Sequence, residues 1–569
     1  MRSRPHSAGT LLTAVLLLAG ACGDGPDGGA GGTAAPAAET DSVSLPAPRA
    51  GEADVFRDVL AGSGIEHRHV LADGAMDCLP ESVGSGVTVL DYDGDGLLDL
   101  YFVLQGWHAG ICEGEPRTGL GGNRLYRNLG NMRFEDVTAR AGVGDAGYGY
   151  MALAGDLDDD GDVDLYVVND GPHVRYCHRR DGRGAGATGA VEPFLAQGRM
   201  TGALLDADGD GLLDIYVGNY VTFDGSYRLH YAPDVFPGPL AFEPQPDVLY
   251  LNQGGGRFRD ATAGSGVDVP PGRAMGVTVL DYDGDGRLDL YVANDATANF
   301  LFRNEGGGRF TEAGAPGGAA GGVRRAARGG GRGATRDVNG DGRPDLHVTD
   351  AAYGSLFVNR GQGVFDDRIV ASGIAAPSGQ WASWGGGFLD FDRDGHDDLY
   401  ITNGDLHRAT GRPDLLFRGR GNGTFEDVSD AAGAWFRAER MGRGAAVADL
   451  DADGLPDIVV THLADRPALL RNTAPEPGRR LTIVLRARPR NASGIGARVT
   501  VVAGGRASRR VAVPVCGYLT QGYPHLRLGL GDAQRVESVT VEWPDGERQE
   551  LLGVAVDTTL TITQGEDVR

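Results

Sequence analysis

One nine-residue stretch, spelled seven times in a chain of 569 residues, constrains this sequence more than any other feature. The first copy is Asp91-Tyr92-Asp93-Gly94-Asp95-Gly96-Leu97-Leu98-Asp99. Its first, third, fifth and ninth positions carry side-chain oxygens: Asp91, Asp93, Asp95 and Asp99. The same register holds at Asp156, Asp158, Asp160 and Asp164, at Asp206, Asp208, Asp210 and Asp214, and at Asp281, Asp283, Asp285 and Asp289. It returns at Asp337, Asn339, Asp341 and Asp345, at Asp390, Asp392, Asp394 and Asp398, and at Asp449, Asp451, Asp453 and Asp457. The sixth residue is always Gly, and an aliphatic residue after the last Asp opens a β-type run such as Leu100-Tyr101-Phe102-Val103.

Alternate carboxylates on a tightly curled loop point inward, and Gly admits the sharp turn that other residues resist. With the backbone carbonyl of the seventh residue they make a hard, all-oxygen cage that suits Ca²⁺, so up to seven calcium ions are expected. Solvated Asp-Gly turns are the bland explanation; seven copies in one register favour the metal. The formal charge is −25, and seven ions would bring it to −25 + 14 = −11. Such acidity argues against a nucleic-acid partner, which requires a basic face.

Two further signatures recur between the loops. One is Leu-aromatic-x-Asn, as in Leu125-Tyr126-Arg127-Asn128 and Leu249-Tyr250-Leu251-Asn252; the other is Phe-x-Asp-Val, as in Phe134-Glu135-Asp136-Val137. Loop starts lie 65, 50, 75, 56, 53 and 59 residues apart, room for about four short strands each. That is one blade of a propeller, and such blades bury their faces only by stacking around an axis. The expected fold is all-β: a seven-bladed β-propeller over 51–474. The last unit lacks its Phe-x-Asp-Val, and an orphan copy, Phe56-Arg57-Asp58-Val59, precedes the first loop. The N-terminal strand is therefore expected to complete the last blade and close the ring, removing exposed sheet edges. The second blade, lacking the Leu-aromatic-x-Asn signature, should be distorted. The fifth, with a Gly/Ala/Arg run over 317–333, should have a poorly specified inner strand.

Past Pro475-Glu476-Pro477 the Asp loops stop, and several β-rich runs over 478–565 read as a small β-sandwich-like domain. This segment holds 12 Arg against 7 acidic residues, or +5. Its opposite charge suggests docking on the acidic body, with an Arg-rich composition as the competing explanation. At the other end, a short basic start and the apolar run 11–20 read as a signal peptide over 1–22, too short to span a bilayer. Small residues before Cys22 make it the candidate for lipidation, and 23–50 reads as a flexible tether. The protein is expected to be exported, as a surface or periplasm-facing lipoprotein or else secreted, touching membrane only through that lipid. Cys78 and Cys112 are candidates for a disulfide or for free thiols.

Taken together, these residues resemble the FG-GAP/VCBS calcium-loop repeats of integrin α-subunit-type propellers. The tail, through Gly494-Ile495-Gly496-Ala497-Arg498-Val499-Thr500-Val501, Leu528-Gly529-Leu530-Gly531 and Val541-Glu542-Trp543-Pro544-Asp545-Gly546, resembles the ASPIC/UnbV domain of the cartilage-acidic-protein family. Tyr518-Leu519-Thr520-Gln521 departs from that family's tendency to place Ser before Gln. The resemblance implies secreted or surface-held calcium-binding proteins with ligand- or matrix-recognition roles.

Calcium loops of this kind are structural by default, so recognition is expected on a propeller face. Five residues after each closing Asp stand Leu104, Asn169, Asn219, Asn294, Asp350, Asn403 and His462. Their polar members either converge on a ligand or end strands by bonding local backbone, the second being the better-supported reading. Trp381 and Trp384 are candidates to stack a flat ligand or to pack between blades. His67, His69 and Glu81 form a weaker acid/base candidate. The expected function is a calcium-stabilised binding or adhesion module for a glycan, matrix component or protein. The alternative is a propeller-face enzyme, either a carbohydrate-active hydrolase or lyase or a secondary-metabolite cyclase. No catalytic residue is assigned.

Overall fold

The computed structural model describes residues 54–71, 74–108, 111, 121–170, 200–224, 236–314, 331, 333–475, 477–488, 490–514 and 517–566, and the backbone alone at 175–177, 199 and 516. All of them belong to one compact unit spanning 45–569. Cys22, Cys112 and the N-terminal segments lie outside the described residues.

Each Asp loop joins the first two strands of an antiparallel sheet, and the closing Asp is the first residue of the second strand. Blade 1 runs Val87–Leu90, Asp99–Phe102, Arg124–Asn128, Phe134–Asp136, in that spatial order. Blades 3 to 6 repeat the plan with four strands each. Their first strands are Arg199–Leu205, Ala274–Leu280, Gly333–Arg336 and Ser383–Leu389. Blade 2 shows three strands among the described residues, Tyr148–Gly155, Asp164–Asp170 and Arg175–Cys177. The short first strand of blade 5 still pairs across all four residues, Gly333↔Val348 to Arg336↔Asp345.

These first strands lie against one another in a closed cycle that returns from Gly442–Ala448 of the seventh sheet to Val87–Leu90. The seventh sheet takes its fourth strand from the start of the chain. Phe56–Asp58 pairs with Ala468–Asn472 in the register Phe56↔Asn472, Arg57↔Arg471, Asp58↔Leu470. Its ring is 1% exposed and packs on Phe391 and Phe436, at centroid distances of 6.4 and 6.2 Å. The alternating Phe-x-Asp pattern puts one apolar side chain inward on each fourth strand, so the displaced copy fits the vacant edge.

The C-terminal segment folds as a sandwich of a three-stranded sheet (Leu526–Gly531, Arg479–Arg486, Thr558–Thr563) on a four-stranded one (Arg506–Val511, Arg498–Ala503, Val536–Glu542, Arg548–Val554). Leu481, Ile483, Val499, Val501, Val539, Val541, Trp543 and Ile562 fill its core. The alternation of these apolar residues along each strand is what lets two half-buried sheets share one interior.

Truncating the closing strand's anchor isolates its contribution. Phe56→Ala should cost about 3–5 kcal/mol in denaturant unfolding, the usual range for emptying a large buried aromatic site. A change under about 1 kcal/mol would mean that the ring does not rely on this strand.

Candidate metal centres and the capped channel

The fold brings the four oxygen-bearing positions of each loop together, and the backbone is organised around them. In all seven loops the sixth-position Gly donates its N–H to the first-position Asp, from Gly96 to Asp91 (3.1 Å) through Gly454 to Asp449 (3.0 Å). The sixth-position φ is positive throughout, between 82° and 95°, where a β-carbon is strained. The ninth Asp accepts the N–H of the second residue in every copy, as in Tyr92 to Asp99 (2.7 Å) and Leu450 to Asp457 (2.8 Å). Its other oxygen accepts from the neighbouring strand: from Asn128, Asn252, Asn304, Asn359 and Asn472, and from Gly419 in blade 6, at 2.7–2.9 Å.

That Asn is the last residue of Leu-aromatic-x-Asn, and its side chain explains the signature. Asn252 donates its amide to Leu213 of its own loop (3.0 Å) and to the second residue of the preceding blade's loop, Leu157 (2.9 Å). Asn128, Asn359 and Asn472 reach across to Leu450, Tyr282 and Phe391 in the same way, at 2.8–2.9 Å. The Asn oxygen accepts an N–H two residues on. One buried amide thus ties two strands and two loops, a role the sequence displayed by repetition without revealing.

The donor set fits a hard cation. Carboxylate oxygens of Asp91, Asp93 and Asp99 lie within 4.8 Å of one another, as do those of Asp156, Asp158 and Asp164. One oxygen of Asp91, of Asp390 and of Asp449 is buried without a hydrogen-bond partner. Burial pushes Asp99 and Asp345 up to about 7 and Asp214 and Asp289 up to about 8, well above the usual carboxylate range. A loop of four carboxylates therefore resists full ionisation unless a cation shares the cage. Asp or Asn at positions one, three, five and nine, plus the seventh carbonyl, would hold Ca²⁺ and supply it with oxygen ligands alone.

The basic sandwich does dock on this face, which decides between the two readings of its charge. Sixth-position glycines in five loops lie under its arginines. A Cβ at Gly286, Gly342 or Gly395 would stand 3.1, 2.8 and 3.1 Å from the guanidinium of Arg498, Arg509 and Arg506; Gly211 and Gly454 lie likewise under Arg490 and Arg480. A Cβ at Gly96 or Gly161 would meet nothing within 4 Å among the described residues. Arg510 grips both oxygens of Asp397 (3.0 and 2.9 Å), and Arg498 pairs with Asp281 (3.4 Å). The Arg498 pair is partly exposed and contributes about 0–1 kcal/mol, while the Arg510–Asp397 pair is buried, where desolvation offsets much of its attraction.

The stronger hold is a hairpin that enters the ring. Cys516–Gly517 and Thr520–Gln521 flank a two-residue tip, and Gln521 pairs with Thr88 on the first strand of blade 1. Tyr518 and Leu519 are fully buried, with Leu519 at φ 53°. Gln521 imitates a strand residue, accepting from Ala154 N (3.1 Å) and donating to Ala154 O (2.8 Å). Thr520 donates to Ala445 O (3.0 Å), and the Tyr518 ring lies 5.3 Å from Trp384. Gly86 is required beside it, since a Cβ there would overlap the Leu519 carbonyl. Burying the two tip side chains is worth about 1.5–3 kcal/mol each, more than a partly exposed arginine contact.

The other candidates sort by burial. Asn169, Asn219, Asn294 and Asn403 are 0% exposed, with Asp350 and His462 also buried. Asn294 donates to Ala298 O (2.8 Å), Asn403 to Pro413 O (2.8 Å), Asn219 to Pro246 O, and His462 Nδ1 lies 2.7 Å from Arg466 O. This register ends strands inside the wall, where its polar members are buried. Trp384 is likewise no ligand platform: it is enclosed between Tyr518 and Arg443, whose guanidinium sits 4.0 Å above its ring. Trp381 is half-buried with Arg412 5.0 Å over it, the one stacking candidate with exposed surface. His67 stacks on Phe102 at 4.8 Å, and His69 bonds Gln105 (3.2 Å) and accepts from Ala464 N (3.1 Å). Burial lowers them to about 3 and about 4, so both are neutral core residues. Cys78 is buried with a free thiol.

If the loops hold calcium, chelation and pH act together. Raised carboxylates stabilise the metal-free fold below their unfolded pKa of about 4, and that contribution is lost as pH rises through about 7–8. EDTA-treated protein should therefore melt at a lower temperature at pH 8 than at pH 5.5. Calcium should abolish that fall, each site held at a hundredfold excess over Kd adding about 2.7 kcal/mol. Identical melting with and without EDTA at pH 8 would contradict the metal assignment.

Comparison with known proteins agrees with this architecture. A profile described as FG-GAP-like repeat matches residues 91–167, 156–217, 233–292, 281–329, 337–401 and 390–460. One described as ASPIC and UnbV matches 487–569. Cartilage acidic protein 1 of Homo sapiens is 27% identical over 506 residues, covering 83% of this chain and 70% of the relative. Its Mus musculus counterpart is 27% identical over 510 residues, covering 83% and 72%. A solved structure concerned with recognition of non-reducing terminal N-acetylglucosamine by an Agrocybe aegerita protein aligns with a TM-score of 0.41 and 18% identity, covering 67% of this chain and 86% of that one. With its loop repeats and its capping domain both matched, the chain belongs to the FG-GAP-repeat proteins that end in an ASPIC and UnbV domain, and it is homologous to cartilage acidic protein 1.

Proposed function

We propose that this protein is an exported, calcium-stabilised binding module that recognises a glycan, matrix component or protein partner. The observation that carries the reading is the filled axis. Tyr518, Leu519, Thr520 and Gln521 occupy the centre of the ring from the loop side, where a propeller enzyme would keep room for substrate. The acid/base candidates nearby are spent in packing, His67 on Phe102 and His69 between Gln105 and Ala464. Recognition is then left to the loops on the rim opposite the cap, where Trp381, Arg412 and Asp405 offer a flat ring beside a paired cation and anion. An aromatic face next to polar groups is suited to a sugar or to a protein side chain. The acidic Asp loops serve in this reading as ties between blades, and the short basic start with its apolar run supplies the route of export.

A glycan array probed with the intact protein, with calcium and after chelation, tests the proposal. Binding to a restricted set of glycans, lost on chelation and weakened at least tenfold by Trp381→Ala, is the expected result. Turnover of a carbohydrate substrate by the same preparation would favour the enzyme reading instead.

A further inference from the structure

A small cavity lies at the seam between the ring and the sandwich, lined by arginines from both. Arg336 and Arg393 come from blades 5 and 6, and Arg480 and Arg527 from two strands of the C-terminal three-stranded sheet, with His525 beside them. Two carboxylates also line it: Asp397 is fully paired, and Asp390 keeps one buried oxygen without a hydrogen-bond partner. Asp397 is gripped through both oxygens by Arg510, and Asp390 is the first residue of its Asp loop, with one oxygen taken by Gly395 N (3.0 Å). The arginines are less well served. Arg527 donates from Nη2 to Val447 O (3.1 Å), while its Nη1 is buried without a hydrogen-bond partner. Arg336 Nε is ion-paired with Asp397 at 3.4 Å. Burial holds His525 near 3, uncharged. Buried guanidinium N–H groups without acceptors are costly, and several cations converging on one space repel one another. The cavity measures about 40 Å³. A water needs roughly 10–15 Å³ on that scale, so about three waters or one small polyatomic anion fit.

We propose that this cavity binds a small inorganic oxyanion of phosphate or sulfate type, which ties the ring to the sandwich. The oxygens of such an ion accept from the unpartnered Arg527 Nη1, with Arg336 adding its charge beside it. Arg393, now donating to Gly454 O (3.3 Å) and Asp453 O (2.8 Å), and Arg480, whose nearest acceptors lie at 3.4–3.5 Å, have further N–H groups to add. Planar guanidinium groups match tetrahedral oxyanions through paired donors, which chloride cannot exploit to the same degree. Two arginines from each domain make the site composite, so it exists only while the sandwich is seated. It is separate from the rim proposed for recognition and borders the Asp loop of blade 6, which contributes Asp390 and Arg393 to its lining.

Isothermal titration of the intact, calcium-supplemented protein in Tris chloride, with inorganic phosphate and with sulfate in separate arms, tests this. One saturable site per chain is expected for at least one of the two anions. Arg527→Gln and, from the other domain, Arg393→Gln should each weaken it at least tenfold, while Arg257→Gln, on a distant exposed turn, should not. Arg480→Gln replaces Arg527→Gln if the latter does not fold. No saturable binding of either ion up to millimolar concentration, or binding unchanged in variants from both domains, would overturn the site and leave the cavity to water.

Discussion

The structure depends most on a carboxylate that is fully engaged before any metal arrives. The ninth Asp of each loop receives the N–H of the loop's second residue, and in six loops its other oxygen receives an N–H from the adjacent strand. In four blades that strand's Asn then extends its amide to the loop of the preceding blade. Hydrogen bonds to a charged acceptor are the stronger kind, and in these four blades the same Asn also ties the loop of one blade to that of its neighbour. Blade 6 keeps the N–H through Gly419 but has no side chain to reach onward. Repetition of the unit multiplies a local bond into a global one.

A consequence for function is the division of the molecule into two faces. The loop face is closed: five loops lie under arginines of the sandwich, and the Tyr518–Gln521 tip fills the axis. The sandwich is held by that tip and oriented by its charges, as the relative sizes of buried apolar contact and exposed ion pairs require. The opposite rim, where recognition is proposed, has loops that differ from blade to blade while the Asp loops repeat.

Much of this was legible in the sequence because the same constraint was written several times. Seven Asp loops set seven sheets, and the orphan Phe56-Arg57-Asp58-Val59 at one end matched a vacancy at the other. The register Asn169, Asn219, Asn294, Asp350, Asn403 and His462 was open to two readings, because a polar residue that ends a buried strand and one that faces a ligand look alike in sequence; the burial of these residues agrees with the favoured strand-ending one. Trp384 was ambiguous for a similar reason, since its enclosing partners, Tyr518 and Arg443, are 134 and 59 residues away along the chain. Net charge suggested that the cap docks but could not show how. The tip is four ordinary residues, and only the small residues that admit it, Gly86 and Gly444, mark its path.

The central claim is that the Asp loops, with their cations, hold blades and cap as one cooperative body. Hydrogen exchange of the intact protein with calcium and after chelation tests it most directly, read at the Asn128, Asn252, Asn359 and Asn472 amides and at 516–521 together. The account predicts that chelation accelerates exchange at all four Asn amides and at the inserted hairpin in concert. Faster exchange confined to the loop residues themselves, with the Asn amides and the hairpin still protected, would contradict it.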